Sequence, residues 1–205
     1  MTRAARFLVI GGVLGAAIAV LTMVLPAAVG PDRWSYPLSP AGFVLRESTA
    51  VVSHILTALG ILAVADVVAS SRAGLAGVRI AAGALWLFAA CEVAAAVIAG
   101  SLSDSVEAQL VGGLFGVASL GYAVGAAIGG IAIIRSQTGE PWARWSLLVS
   151  GVFVMAVVTP ATLASNLPLR YTALALWSLM FCWMAPLAGN RKHPYVSPDR
   201  SRAVT

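Results

Sequence analysis

Three ionisable side chains interrupt otherwise apolar runs of this chain: His54, Asp66 and Glu92. A charged side chain at the centre of a membrane helix costs about 2.5–3.5 kcal/mol on insertion scales for Arg, Lys or Asp, so each such residue is a candidate site that needs a partner. His54 and Glu92 suit each other, because an imidazole facing a carboxylate can hold, pass or exchange a proton. Ser53 and Thr57 flank His54 and add hydroxyls. Serines and threonines also bond back to their own helix, which is the plainer reading of Thr49 and Thr57. The pair therefore has two readings. It is a polar cavity open to the outside, or a buried His–Glu contact that fixes helix register. Asp66, with Arg79 and Arg72 nearby in sequence, reads as an interfacial ion pair that pins a hairpin.

Other chemistry is hard to find. The chain has no GxxxxGK[ST], HExxH or GxSxG string. Cys91 and Cys182 are the only cysteines and fall in different apolar runs, so neither a disulfide nor a metal-binding pair is expected. Only one histidine falls in an apolar run and no lysine does, which excludes a multi-haem cytochrome and a retinal Schiff base. Ser53 next to His54 is no catalytic dyad, because adjacent helical side chains diverge. No cofactor and no metal are expected, and an enzyme is disfavoured.

The elements that must position these residues follow from composition. Of 205 residues, 60% are hydrophobic and 10% charged, against about 45–50% and about 25% in soluble domains. A water-soluble enzyme, a disordered chain and a disulfide scaffold are excluded together. Crossing a hydrocarbon core takes about 20 apolar residues. Six stretches qualify, at about 7–29, 48–68, 78–100, 110–134, 146–164 and 171–187. Unpaired backbone groups are not tolerated in lipid, so these are helices. The expected fold is an all-α integral membrane protein, a six-transmembrane-helix bundle over residues 1–189, with a basic and disordered tail at 190–205. The first stretch exceeds a signal peptide's apolar region and reads as a retained helix.

Basic residues orient the bundle. With both termini cytoplasmic, the inner segments hold Arg3, Arg6, Arg72, Arg79, Arg135, Arg144, Arg191, Lys192, Arg200 and Arg202, and the outer loops hold Arg33, Arg46 and Arg170. The net charge of +5 thus reports orientation in a lipid bilayer and not nucleic-acid binding. The membrane is read as a bacterial cell membrane, crossed many times. Trp34, Tyr36, Trp142, Trp145 and Tyr171 fall near span ends, as interfacial aromatics do. Pro31, Pro37 and Pro40 are expected to keep the first half of the loop at 30–47 out of a regular helix. That loop is either a lid over a cavity or a segment packed on the helix ends.

Two further features concern packing. Gly121, Gly125 and Gly129 recur every four residues on one helix face, and Gly11 and Gly15 repeat the spacing in the first span. Such faces let helix backbones approach closely in lipid. The partner is another helix of this chain, a second copy or another membrane protein. Pro160 inside the fifth span is expected to kink it. The segments GGVLGAAIA from Gly11 and GGLFGVASL from Gly112 hint at an inverted repeat of the kind found in transporters. Two functions remain open: a non-enzymatic accessory or interaction subunit acting through helix packing, and a small secondary transporter or channel with a polar outer cavity at His54 and Glu92.

Overall fold

The computed structural model describes residues 1–164 and 166–189. The expected tail at 190–205 lies outside the described residues. Six helices are long and apolar enough to cross a membrane: α1 (Arg3–Val24), α2 (Pro40–Val68), α3 (Arg72–Val97), α4 (Val106–Ser136), α5 (Ala143–Leu163) and α6 (Leu167–Gly189). Among the described residues the only β-type pairing is an isolated bridge between Arg33 and Leu102.

Every helix starts earlier than its apolar run. Four of them begin on a side-chain cap: Thr2, Ser39, Ser71 and Ser105 each accept a hydrogen bond from a backbone N–H of the first turn. Such caps satisfy donors that the helix leaves orphaned. The largest correction is α2, expected from about 48 and found from Pro40. Pro40 is not a breaker here. It occupies the first turn after the Ser39 cap, where its missing N–H costs nothing and its fixed φ suits the helix. Arg46 and Glu47 are therefore helical residues and not loop residues. The opposite correction applies to α1, which stops at Val24, before the expected 29. Leu25 is extended at ψ 141°, as a residue preceding a proline prefers.

The helices form a closed ring in chain order, each packed on the next, with α1 also packed along α6. Thr2 Oγ1 donates to Ala188 O at 3.0 Å, so the start of α1 and the end of α6 share one end of the bundle. The other end, carrying the α1–α2 and α3–α4 connections, is called distal below. These two connections are tied together. Trp34 N–H donates to Ser101 O at 3.0 Å, Ser103 N–H to Asp32 O at 2.8 Å and Arg33 Nη1 to Gly100 O at 3.1 Å. Leu38 and Phe43 pack with Ala95, Ala99 and Val111 beneath them. The first connection is thus packed on the helix ends.

The glycine face of α4 is filled from within the chain. A Cβ on Gly125 would lie 2.8 Å from Gly77 O and 3.0 Å from Ala81 Cα, and one on Gly129 would lie 3.1 Å from Val78 N. Both positions let α3 and α4 touch backbone to backbone. Gly121 is looser, with Ala84 Cβ at 3.5 Å. In α1, a Cβ on Gly15 would meet Ser53 Oγ at 2.8 Å and Ser178 Oγ at 2.7 Å, and one on Gly11 would meet Ser53 O at 2.9 Å. These glycines seat α1 between α2 and α6. Gly113 and Gly116, in the segment resembling the start of α1, have open space around them. The two segments share letters and not surroundings.

Pro160 does not simply kink α5. The helix widens into a π-helical turn over Val154–Val158 just before it. Thr159 Oγ1 donates to Val154 O at 2.9 Å, replacing part of the ladder that the proline interrupts.

Candidate functional site

Charged side chains gather in the distal half of the bundle in two groups. The inner group is the pair named from sequence. His54 on α2 faces Glu92 on α3, with Nδ1 3.8 Å from Oε1. That is ion-pair range and too long for a hydrogen bond. Their helices are neighbours in the ring, and α2 turns His54 inward on the face that also carries Ser53 and Thr57. The imidazole stacks on Phe88 at 5.2 Å between ring centroids and lies 6.0 Å from Trp177 of α6. Behind this wall, Tyr122 of α4 shares a 2.8 Å hydrogen bond with Ser150 of α5. Neither His54 Nδ1 nor Glu92 Oε2 has a hydrogen-bond partner among the described residues.

The two flanking hydroxyls are committed elsewhere. Ser53 Oγ donates to Gly11 O at 2.8 Å, tying α2 to α1. Thr57 Oγ1 donates to Ser53 O at 2.9 Å, within its own helix. They build the helix contact beside the pair and do not hold it.

The outer group was not expected. Arg46 on α2 is ion-paired with Glu47, whose side chain is 1% exposed. Arg170, at the start of α6, lies in electrostatic range of both. Both cations lie against the Tyr171 ring: the guanidinium carbons of Arg46 and Arg170 each sit 5.7 Å from its centroid. Tyr171 is 2% exposed and so is not the interfacial aromatic that its position suggests. Arg46 Nε, Glu47 Oε2 and Arg170 Nε are buried without partners among the described residues.

A signal for this group was present in the sequence. Phe43, Glu47, Ala50, Ser53 and Thr57 follow helical spacing and share the buried face of α2. Extending that face backward from His54 past residue 48 reaches Glu47. The assumption that Pro40 bars a helix concealed it.

The third expected site does not assemble. Among the described residues no ion pair joins Asp66 to Arg79 or Arg72, and all three are exposed. A short 3-10 segment (Ala63–Val68) carries the end of α2 and leaves Asp66 exposed. An exposed ion pair contributes at most about 1 kcal/mol, so little is lost without one.

Two clefts among the described residues lie away from both charged groups. One, of about 460 Å³, opens beside Ser70, Ser71 and Arg135. The other, of about 430 Å³, is an apolar groove between α4 and α5 beside Val124 and Met155. No group of three or more potential metal ligands occurs among the described residues.

No family model, curated protein or solved structure matches this chain. Its chemistry must be argued from the two charged groups alone.

Proposed function

We propose that this six-helix membrane protein moves protons or a small polar solute across the bilayer, as a small secondary transporter or channel. One observation carries this reading: His54 and Glu92 meet inside an apolar bundle, each with an unpartnered polar atom. A purely structural contact would gain most from a short hydrogen bond with every polar atom satisfied. At 3.8 Å the pair stands about one small shift, or one bridging water, from the contact through which a proton passes, and is not locked together. Intramembrane ionisable pairs of this kind mark proton and ion pathways.

The accessory-subunit reading drew its positive support from the glycine face of α4, and α3 covers that face. A homodimer or a larger partner is not needed to account for it. The excess of basic residues at the end opposite the charged groups supports a cell-membrane protein with both termini cytoplasmic and the charged groups facing outward.

The test is reconstitution into liposomes carrying a lumenal pH dye. An imposed pH gradient is expected to drive proton flux in the wild type. Glu92→Gln is expected to remove the flux while the melting temperature stays within a few degrees. Flux equal to that of protein-free liposomes overturns the reading.

A further inference from the structure

The charges of the interior can be counted. Among the described residues four charged side chains reach into it: the buried anions Glu47 and Glu92, and the partly exposed cations Arg46 and Arg170, whose Nε atoms are buried. With His54 neutral the sum is zero. The distribution is uneven. The outer group holds both guanidiniums and one carboxylate, a surplus of one positive charge. The second carboxylate, Glu92, lies deeper, against His54. The remaining elements add no charge. On α1 the ionisable residues Arg3 and Arg6 are exposed, on α4 Glu107 and Arg135 are exposed, and on α5 Arg144 bonds to Gly139 O at 3.0 Å. Tyr171 lines the outer group, and Phe88 and Trp177 line the inner one.

A surplus buried cation is expensive unless an anion meets it. Arg46 and Arg170 approach from different helices, and each keeps its Nε without a partner. A guanidinium is a planar fork that matches a carboxylate with two parallel hydrogen bonds. Phe43 and Tyr171 stack on the Arg46 guanidinium, whose central carbon lies 5.7 Å from each ring centroid. From this geometry we infer that Arg46 and Arg170 form a receptor for a small monocarboxylate, and that its binding is coupled to uptake of one proton by the His54–Glu92 pair. The charge count favours the coupling. One anion bound to the outer group takes the interior to a net of minus one, and one proton on the inner pair returns it to zero. The inference rests on the transport reading for its purpose but not for its chemistry: it names the solute class of that pathway.

The experiment uses the full chain in lipid nanodiscs. Sodium formate, acetate and lactate are titrated against its melting temperature, with sodium chloride at matched ionic strength as reference. A carboxylate is expected to raise the melting temperature above the chloride reference. The apparent Kd is expected to fall by about tenfold for each pH unit of acidification while the free pair is deprotonated, as one linked proton requires. Arg170→Gln should abolish the shift. Arg170→Lys keeps the charge but loses the fork, and should weaken binding at least tenfold even if Arg170→Gln does not fold. Glu92→Gln should still bind but lose the pH dependence, a change that a merely structural role would not produce. No shift beyond chloride, or an unchanged Kd in Arg170→Lys, overturns the inference. Flux in liposomes separates the two claims. Binding without carboxylate-driven flux leaves the receptor standing and sinks the transport reading. Proton flux that needs Glu92 but ignores every carboxylate keeps that reading and overturns the receptor.

Discussion

Glu47 is where the energetics of the site are most exposed to test. It is a carboxylate with 1% exposure, paired to Arg46 and within range of Arg170. Removing one partner of a buried ion pair leaves an uncompensated charge and costs about 3–5 kcal/mol. Glu47→Ala should therefore lower stability by about that much, read as a clear drop in melting temperature in mild detergent. Asp66→Asn, which removes an exposed carboxylate with no ion partner among the described residues, should stay within about 0.5 kcal/mol of wild type. Equal effects from the two substitutions would mean that the outer group is solvated and not buried. Ser53 makes a smaller case. Its hydroxyl bonds to Gly11 O across the α1–α2 contact, and interhelical hydrogen bonds in membranes average about 0.6 kcal/mol. Ser53→Ala should lower stability by about that amount and leave flux intact, whereas Ser53→Val, crowding Gly15, should cost more.

At the scale of the helices, the glycines of α4 provide the contrast. Gly125 abuts the backbone of α3, so Gly125→Leu must push the two helices apart and should cost at least 1–3 kcal/mol, the usual range for overpacking. Gly113, on the same helix, faces open space, and Gly113→Leu should be close to neutral. Thermal unfolding of the two variants decides it. If both are neutral, α3 and α4 do not touch as described. This face also shows what the sequence made legible. Four-residue glycine spacing announced a close contact but could not name its partner, because spacing fixes a face and not what lies opposite. The number of helices was legible because hydropathy responds to the thickness of hydrocarbon. Their first turns were not, because those turns are set by caps such as Ser39 and Ser105, which hydropathy scores as polar loop. The cost of that blindness fell on function. His54 and Glu92 lay deep enough in apolar runs to be noticed, while Arg46, Glu47 and Arg170 stood one or two turns from a helix start and passed for loop residues.

Across the whole molecule, the structure sharpens the charge asymmetry that argues for orientation. Of the three basic residues assigned to outer loops, Arg46 and Arg170 are helical, bury their Nε atoms and lie against the Tyr171 ring. Only Arg33 remains in a distal connection. The opposite end carries Arg3, Arg6, Arg72, Arg79, Arg135 and Arg144 among the described residues. Positively charged segments are retained on the cytoplasmic side, and short loops follow that rule most closely. The distal end should therefore face outward. The check is single-cysteine labelling on intact cells, in a background with Cys91 and Cys182 replaced by alanine. Asp104 lies exposed in the α3–α4 connection and Glu140 lies exposed between α4 and α5. Asp104→Cys should react with a membrane-impermeant maleimide at once, and Glu140→Cys only after permeabilisation. The reverse pattern would invert the bundle. Arg46 and Arg170 would then lie on the cytoplasmic side of the bilayer. Orientation thus decides from which side of the membrane the two charged groups are approached, and one pair of labelling reactions settles it.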